Sequence, residues 1–267
     1  MLKDITLGQY YQTDSIIHRL DPRVKLATTL AFIISLFVFD NVAGYAIAAI
    51  FLVIVIKLSK VPFKFMVKGM KAIVFLILLT VICNLLLTPG EPLVTLWKLT
   101  ITKEGLRIAA LMTVRLSFLI IGSSIMTLTT TPNQLTDAME KMMSPLKKIK
   151  VPVHEIAMMM SIALRFIPIL LEETDKIMKA QIARGADFES GNLIQKVKNM
   201  VPLLVPLFIS AFRRANDLAM AMEARCYHGG DNRTQMKPLH YTRRDHIAYV
   251  ILFVYLAVAI GFRVMGW

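Results

Sequence analysis

Apolar residues run along this chain in long blocks rather than alternating with polar ones. Five blocks stand out: Val24–Phe39, Val42–Ile56, Ala72–Leu87, Ile108–Leu128 and Ile247–Phe262. A bilayer-spanning helix needs about 20 predominantly apolar residues. Only the fourth block reaches that length alone, so the others need their flanks or a thinned bilayer. Asp40 and Asn41 alone separate the first two blocks, which predicts a tight helical hairpin. Lys57, Lys60, Lys64, Lys68 and Lys71, with no acidic residue among them, join the second block to the third. Such a cationic loop belongs on the cytoplasmic side. The next loop holds Glu91, Lys98, Lys103, Glu104 and Arg107, is nearly balanced, and fits the outside. Alternation then predicts a cytoplasmic N-terminus and an external C-terminus.

Residues 131–246 carry a different pattern, with 17 Lys+Arg, 12 Asp+Glu and no uninterrupted apolar run of spanning length. They read as a helical cytoplasmic insert. The resulting organisation is an N-terminal cytoplasmic segment (1–23), a membrane bundle of four spans (24–130), the insert (131–246) and a last span with an external C-terminus (247–267). The fold class is all-α, a polytopic membrane protein of about five transmembrane helices. Within the insert, Thr131 is placed to cap a helix that starts at Pro132. A long helix is predicted from Val153 to Arg184, bent near Pro168, with Gly185 as its left-handed stop. Another runs from Leu203 to Arg225, with a shorter segment at about Asn192–Val201 between them. On the second long helix, Arg214, Asp217, Ala221 and Arg225 fall on one face, and Leu204, Leu207, Phe208, Ala211, Ala215, Leu218 and Met222 on the other.

Composition agrees with a membrane protein. Of 267 residues, 56% are hydrophobic and 18% charged, against about 25% charged in a soluble domain. The formal net charge of +13 is better explained by cytoplasmic cations flanking spans than by nucleic acid. The two cysteines, Cys83 and Cys226, exclude a disulfide framework and a cysteine zinc cluster. No secretory leader is expected from the polar stretch that precedes the first block.

Catalytic signatures are missing. There is no P-loop, and His154-Glu155 starts a zincin pattern that fails at Met158. No nucleophile elbow occurs, and no metal site is expected. What remains is a repeated ending: Ala183-Arg184-Gly185 and Ala224-Arg225-Cys226 close the two long helices. Either alone is explained by an arginine complementing a helix dipole. Two together present a guanidinium at the tip of each rod, suited to bidentate pairing with carboxylates in an acidic groove.

Several segments together resemble the transmembrane (T) component of energy-coupling factor transporters. They are Ser15-x-x-His18-x-Leu20-Asp21-Pro22-Arg23-x-Lys25-Leu26, Thr129-Thr130-Thr131-Pro132, Leu164-Arg165-Phe166-Ile167-Pro168 and the two Ala-Arg helix ends. The resemblance implies long coupling helices whose tips insert into two ABC-type ATPase subunits. It also implies a small membrane S component that binds the vitamin or micronutrient. ATP and Mg would reside on the partner ATPases, with no cofactor on this chain and a prokaryotic cell membrane as the location. By the same resemblance, Arg184 and Arg225 are the coupling arginines, with Ala183, Gly185 and Ala224 as their neighbours. Cys226 departs from the Ala-Arg-Gly pattern. A glycine adopts positive φ freely and a cysteine does not, which sets this position apart from Gly185.

Three further signals have bland alternatives. Eleven of the 17 methionines lie in 131–246, and Met139, Met142 and Met143 form a candidate pliable surface for S components, or simply helical core. Arg115 lies inside the fourth span, where it either marks function or pairs at a helix interface. Asn84 reads as interhelical glue. The competing functional readings are a conventional ABC importer permease with its own translocation path, and a membrane transferase. The long insert and the second Ala-Arg end argue against the first, and the missing catalytic constellations against the second.

Overall fold

The computed structural model describes residues 10–39, 41–71, 73–96, 99–188, 190, 192–230, 236 and 238–264. Asp40, Ala72 and Lys98 lie outside them, and the side chains of Lys68 and Lys71 are also undescribed. In chain order the elements are α1 (Pro22–Val38), α2 (Val42–Ser59), α3 (Phe63–Lys71), α4 (Val74–Leu87), β1 (Pro92–Leu96), β2 (Leu99–Thr102) and α5 (Lys103–Thr129). They continue with α6 (Pro132–Met142), a 3-10 turn (Ser144–Ile149), α7 (Val153–Ala183), α8 (Leu193–Asn199), α9 (Val201–Ala224) and α10 (Arg243–Val264). The all-helical class holds, with one antiparallel hairpin, β1–β2, in the loop before α5.

Among the described residues, α2, α5, α7 and α10 are long and apolar enough to cross a membrane, and α4 is a shorter apolar helix. Helix α7 reaches spanning length although Glu155 and Arg165 interrupt its apolar residues, so the region holds no uninterrupted apolar run but does hold one long, mostly apolar helix. Five of its seven charges come after Leu171, which leaves Glu155 and Arg165 as the charges of the more apolar first half. The chain is a membrane-embedded protein with several apolar helices. Outward-facing side chains such as Phe37 (61% exposed), Phe75 (74%) and Phe253 (74%) form an apolar exterior suited to lipid rather than water.

The chain divides into two compact units, one of Gly8–Ala138 with Leu239–Trp267, the other containing Met139–Pro238. In the first, Phe32 and Leu36 of α1, Ala48 and Leu52 of α2, Ile125 of α5 and Tyr255 of α10 share one buried cluster. Gly122 makes the packing of α5 possible, because a Cβ there would sit 2.9 Å from the Phe32 ring. Small residues allow such close helix approach in membranes. Tyr255 stacks on Phe51 with ring centroids 4.5 Å apart, and its hydroxyl is 2.7 Å from Ser35 Oγ.

Arg115 is an interface residue. Its Nε donates to Tyr45 Oη (2.7 Å) and Nη2 to the Phe39 carbonyl (2.8 Å). The guanidinium therefore caps the end of α1 and holds the start of α2, clamping the hairpin from α5. Asn84 differs from the expectation of a bond between helices: its Nδ2 donates to the Thr80 carbonyl one turn back in its own helix, at 2.8 Å.

In the second unit α7 and α9 pack antiparallel. Gln181 Nε2 donates to the Pro202 carbonyl (3.4 Å), and Arg214 Nη2 is 2.9 Å from Glu173 Oε2. These bonds show which sides of α9 meet α7. Arg214 turns toward α7, while Leu204 (51% exposed) and Phe208 (65%) point outward. Helix α9 also starts two residues earlier than expected, because Pro202 is tolerated in the first turn, where its missing N–H has no partner to lose.

Candidate functional site

The two Ala-Arg ends are built alike. Ala183 is the last residue of α7 and Arg184 its C-cap; Ala224 is the last residue of α9 and Arg225 its C-cap. After α7, the Gly185 N–H donates to the Ile182 carbonyl (2.9 Å) and the Ala186 N–H to the Gln181 carbonyl (2.9 Å). After α9, the Cys226 N–H donates to the Glu223 carbonyl (2.8 Å) and the Tyr227 N–H to the Met222 carbonyl (3.0 Å). Both pairs are the crossed bonds of a Schellman cap, which requires a left-handed residue after the C-cap. Gly185 supplies it with φ +89° and Cys226 with φ +56°. Cys226 thus takes the conformation a glycine would, although a cysteine lacks a glycine's freedom there. A β-carbon in this conformation costs about 1–2 kcal/mol.

Ala183, Arg184, Gly185, Ala224, Arg225 and Cys226 are all exposed. Among the described residues neither guanidinium has a hydrogen bond or ion pair. Arg184 lies eleven residues beyond Glu173, and Arg225 eleven beyond Arg214. At about 1.5 Å per residue each tip stands about 16 Å from that ion pair. Because α7 and α9 are antiparallel, the tips point in opposite directions, about 33 Å apart along the helix axes. The α7–α9 pair thus carries a Schellman-capped, exposed arginine at each end, and among the described residues neither has a partner.

The methionine group divides. Met142, the last residue of α6, is exposed (39%), while Met139 and Met143 are half-buried. Only Met142 of the three is a full surface residue. Among the described residues no three His, Cys, Asp or Glu side chains are grouped so as to hold a metal ion.

The other unit brings together two motifs that lie far apart in sequence. Lys25 Nζ is buried and donates to the carbonyls of His18 (3.1 Å) and Thr129 (2.9 Å). His18 Nε2 is 3.0 Å from the Tyr11 carbonyl, which only accepts, so Nε2 carries the hydrogen. Nδ1 then accepts from Ser15 Oγ at 2.7 Å. Burial lowers the pKa of His18 below its ordinary value, in keeping with this neutral tautomer. Asp21 caps α1 by accepting from the Arg23 N–H (2.8 Å), and its own N–H donates to Asp245 Oδ1 (2.8 Å). Asp245, which no sequence motif marks, also accepts from the Thr242 N–H at 2.7 Å at the start of α10. At the start of α6, Thr131 and Gln134 form a reciprocal capping box, N–H to side chain, at 3.2 and 3.3 Å.

Comparisons with known proteins agree with this architecture. The family model described as cobalt transport protein, CbiQ, matches residues 13–236. A protein of Clostridium kluyveri named energy-coupling factor transporter transmembrane protein EcfT is 57% identical over 266 residues, covering 99% of this chain and 98% of that protein. Proteins of the same name from Thermosediminibacter oceani (53% identical over 249 residues, 93% and 94% covered) and Bacillus subtilis (46% over 264 residues, 98% and 100%) are also similar. With a family model matched across most of its length and relatives alike over nearly all of theirs, the chain belongs to the CbiQ family, among the transmembrane proteins of energy-coupling factor transporters.

Proposed function

We propose that this chain is the non-catalytic scaffold through which ATP hydrolysis drives a vitamin or micronutrient importer. The observation that carries the reading is the pair of Schellman-capped Ala-Arg ends, exposed and unpaired, at opposite tips of one antiparallel helix pair. Each tip docks in an acidic groove on one of two ABC-type ATPase subunits, which hold ATP and Mg. Closure of the ATPases moves the tips, and the rigid α7–α9 pair passes the displacement to a small S component that binds the substrate. The outward Leu204 and Phe208 of α9, with Met142, supply apolar surface for that component.

Helix α7 has the length of a span, but its second half carries Glu172, Glu173, Asp175, Lys176 and Lys179. Each such charge costs roughly 2.5–3.5 kcal/mol at a bilayer centre. The proposal therefore keeps α7 with α9 on the cytoplasmic side, together with the N-terminus.

Affinity purification of the tagged chain in mild detergent tests the reading. Two P-loop ATPases and at least one small membrane protein are expected to co-purify. A chain that purifies alone and itself hydrolyses ATP would contradict it.

A further inference from the structure

Arg165 belongs to the segment Leu164-Arg165-Phe166-Ile167-Pro168, and neither the packing of α7 nor the coupling tips give it a task. It is exposed, and among the described residues its guanidinium has no hydrogen bond or ion pair. It lines a cleft of about 570 Å³ that also includes Arg225. Met158 and Ile162 of α7 and Leu218 and Met222 of α9 contribute apolar side chains to this cleft. The segment that leaves α9 contributes Tyr227, His228 and Gly229. That segment is fixed in place, because Gly230 lies so close to α7 that a Cβ would sit 2.4 Å from the His154 ring. His154 in turn is 2.9 Å from Glu140. No lining residue is acidic.

Arg225 thus lines a walled cleft together with a second cation, Arg165.

We infer that this cleft receives an acidic segment of the ATPase subunit that meets α9, with Arg165 and Arg225 pairing its carboxylates and the Met158, Ile162, Leu218 and Met222 side chains taking an apolar residue between them. The inference rests on the coupling reading above and adds Arg165 to it. Two uncompensated guanidinium groups in one cleft call for more than one carboxylate oxygen pair. The apolar lining selects a peptide over a small free anion, since such surface gains only from another apolar group.

The test is a double-mutant cycle on the full chain in nanodiscs, titrated with the purified ATPase subunits. Arg165→Gln is expected to weaken the α9-side interaction about tenfold or more, as loss of a charge-assisted pair does. Arg165→Lys should weaken it less. In an Arg225→Gln background, Arg165→Gln should add little; in an Arg184→Gln background it should add its full effect. Wild-type affinity in Arg165→Gln and Arg165→Glu chains that elute as folded, monodisperse protein would overturn the cleft. So would full additivity with Arg225→Gln. If Arg225→Gln weakens binding and the Arg165 variants do not, the cleft alone fails. If neither weakens it, the coupling reading fails as well. Arg165→Lys and Arg165→Gln keep the test decisive should the Glu chain misfold.

Discussion

Lys25 donates its ammonium to the Thr129 carbonyl at 2.9 Å, across 104 residues of sequence. Thr129 ends α5, where the last carbonyls have no partner within the helix. The same ammonium holds the His18 carbonyl, so one buried cation ties the N-terminal segment, α1 and α5 together. Lys25→Met removes the cation and leaves buried carbonyls unpaired, a cost of about 1–3 kcal/mol. A lowered melting temperature in detergent is expected, and an unchanged one would contradict this role.

The α1–α2 hairpin is held from α5 by Arg115. Arg115→Leu should destabilise the bundle by more than Tyr45→Phe, because the first loses the bonds to both Tyr45 and the Phe39 carbonyl. Interhelical hydrogen bonds in membranes average about 0.6 kcal/mol, with a maximum of about 1.7. Thermal unfolding of the two variants and the double variant checks the order. An Arg115→Leu chain that loses uptake at wild-type stability would instead make Arg115 part of the transport machinery.

His18 sets a pH dependence. Its pKa is lowered on folding, chiefly by burial, from an ordinary value of 6.5. As pH falls, the unfolded chain takes up this proton first. The contribution of neutral His18 is therefore complete above the ordinary histidine value and is lost as pH falls through the lower folded value. The melting-temperature gap between wild type and His18→Gln should shrink below about pH 6. A gap that widens on acidification would show that the imidazolium, not the imidazole, is the form the fold stabilises.

The helix caps make opposite predictions for two similar positions. Gly185→Ala places a β-carbon at φ +89° and should destabilise the end of α7 by about 1 kcal/mol. Cys226→Gly removes a β-carbon at φ +56° and should stabilise the end of α9 or leave it unchanged, with uptake preserved. Hydrogen exchange at the cap amides of Ala186 and Tyr227 reads each effect locally. Faster exchange at Tyr227 in Cys226→Gly would contradict the shared Schellman geometry.

The helix ends could be read in advance because their causes are local. Ala183-Arg184-Gly185 contains the residue that stops α7, and Thr131-Pro132 the one that starts α6. The left-handed Cys226 was not readable, since a cysteine carries no preference for that conformation and the cap bonds impose it. The hairpin Pro92–Leu96 with Leu99–Thr102 lay in a loop judged by its charge, although Val94, Thr95, Thr100 and Ile101 are strand formers. Asp245 and the Lys25–Thr129 bond depend on residues brought together from distant parts of the chain, which no local pattern encodes. The outward direction of Leu204 and Phe208 could not be read for a related reason: periodicity marks an apolar stripe but not whether protein, lipid or a partner covers it.

The most direct test of the account is ATP-driven uptake by the assembled transporter carrying Arg184→Glu together with Arg225→Glu. A docked arginine reversed to glutamate loses a charge-assisted pair, about 1.5–3 kcal/mol, and buries a like charge in an acidic groove. An arginine that merely complements a helix dipole is worth roughly 0.3–1 kcal/mol, in the stability of this chain alone. The account predicts a chain that inserts and folds at wild-type levels but no longer retains the ATPases or no longer couples hydrolysis to uptake. The double variant should be worse than either single one. Normal ATPase retention and normal uptake in the double variant, at wild-type expression, would contradict it.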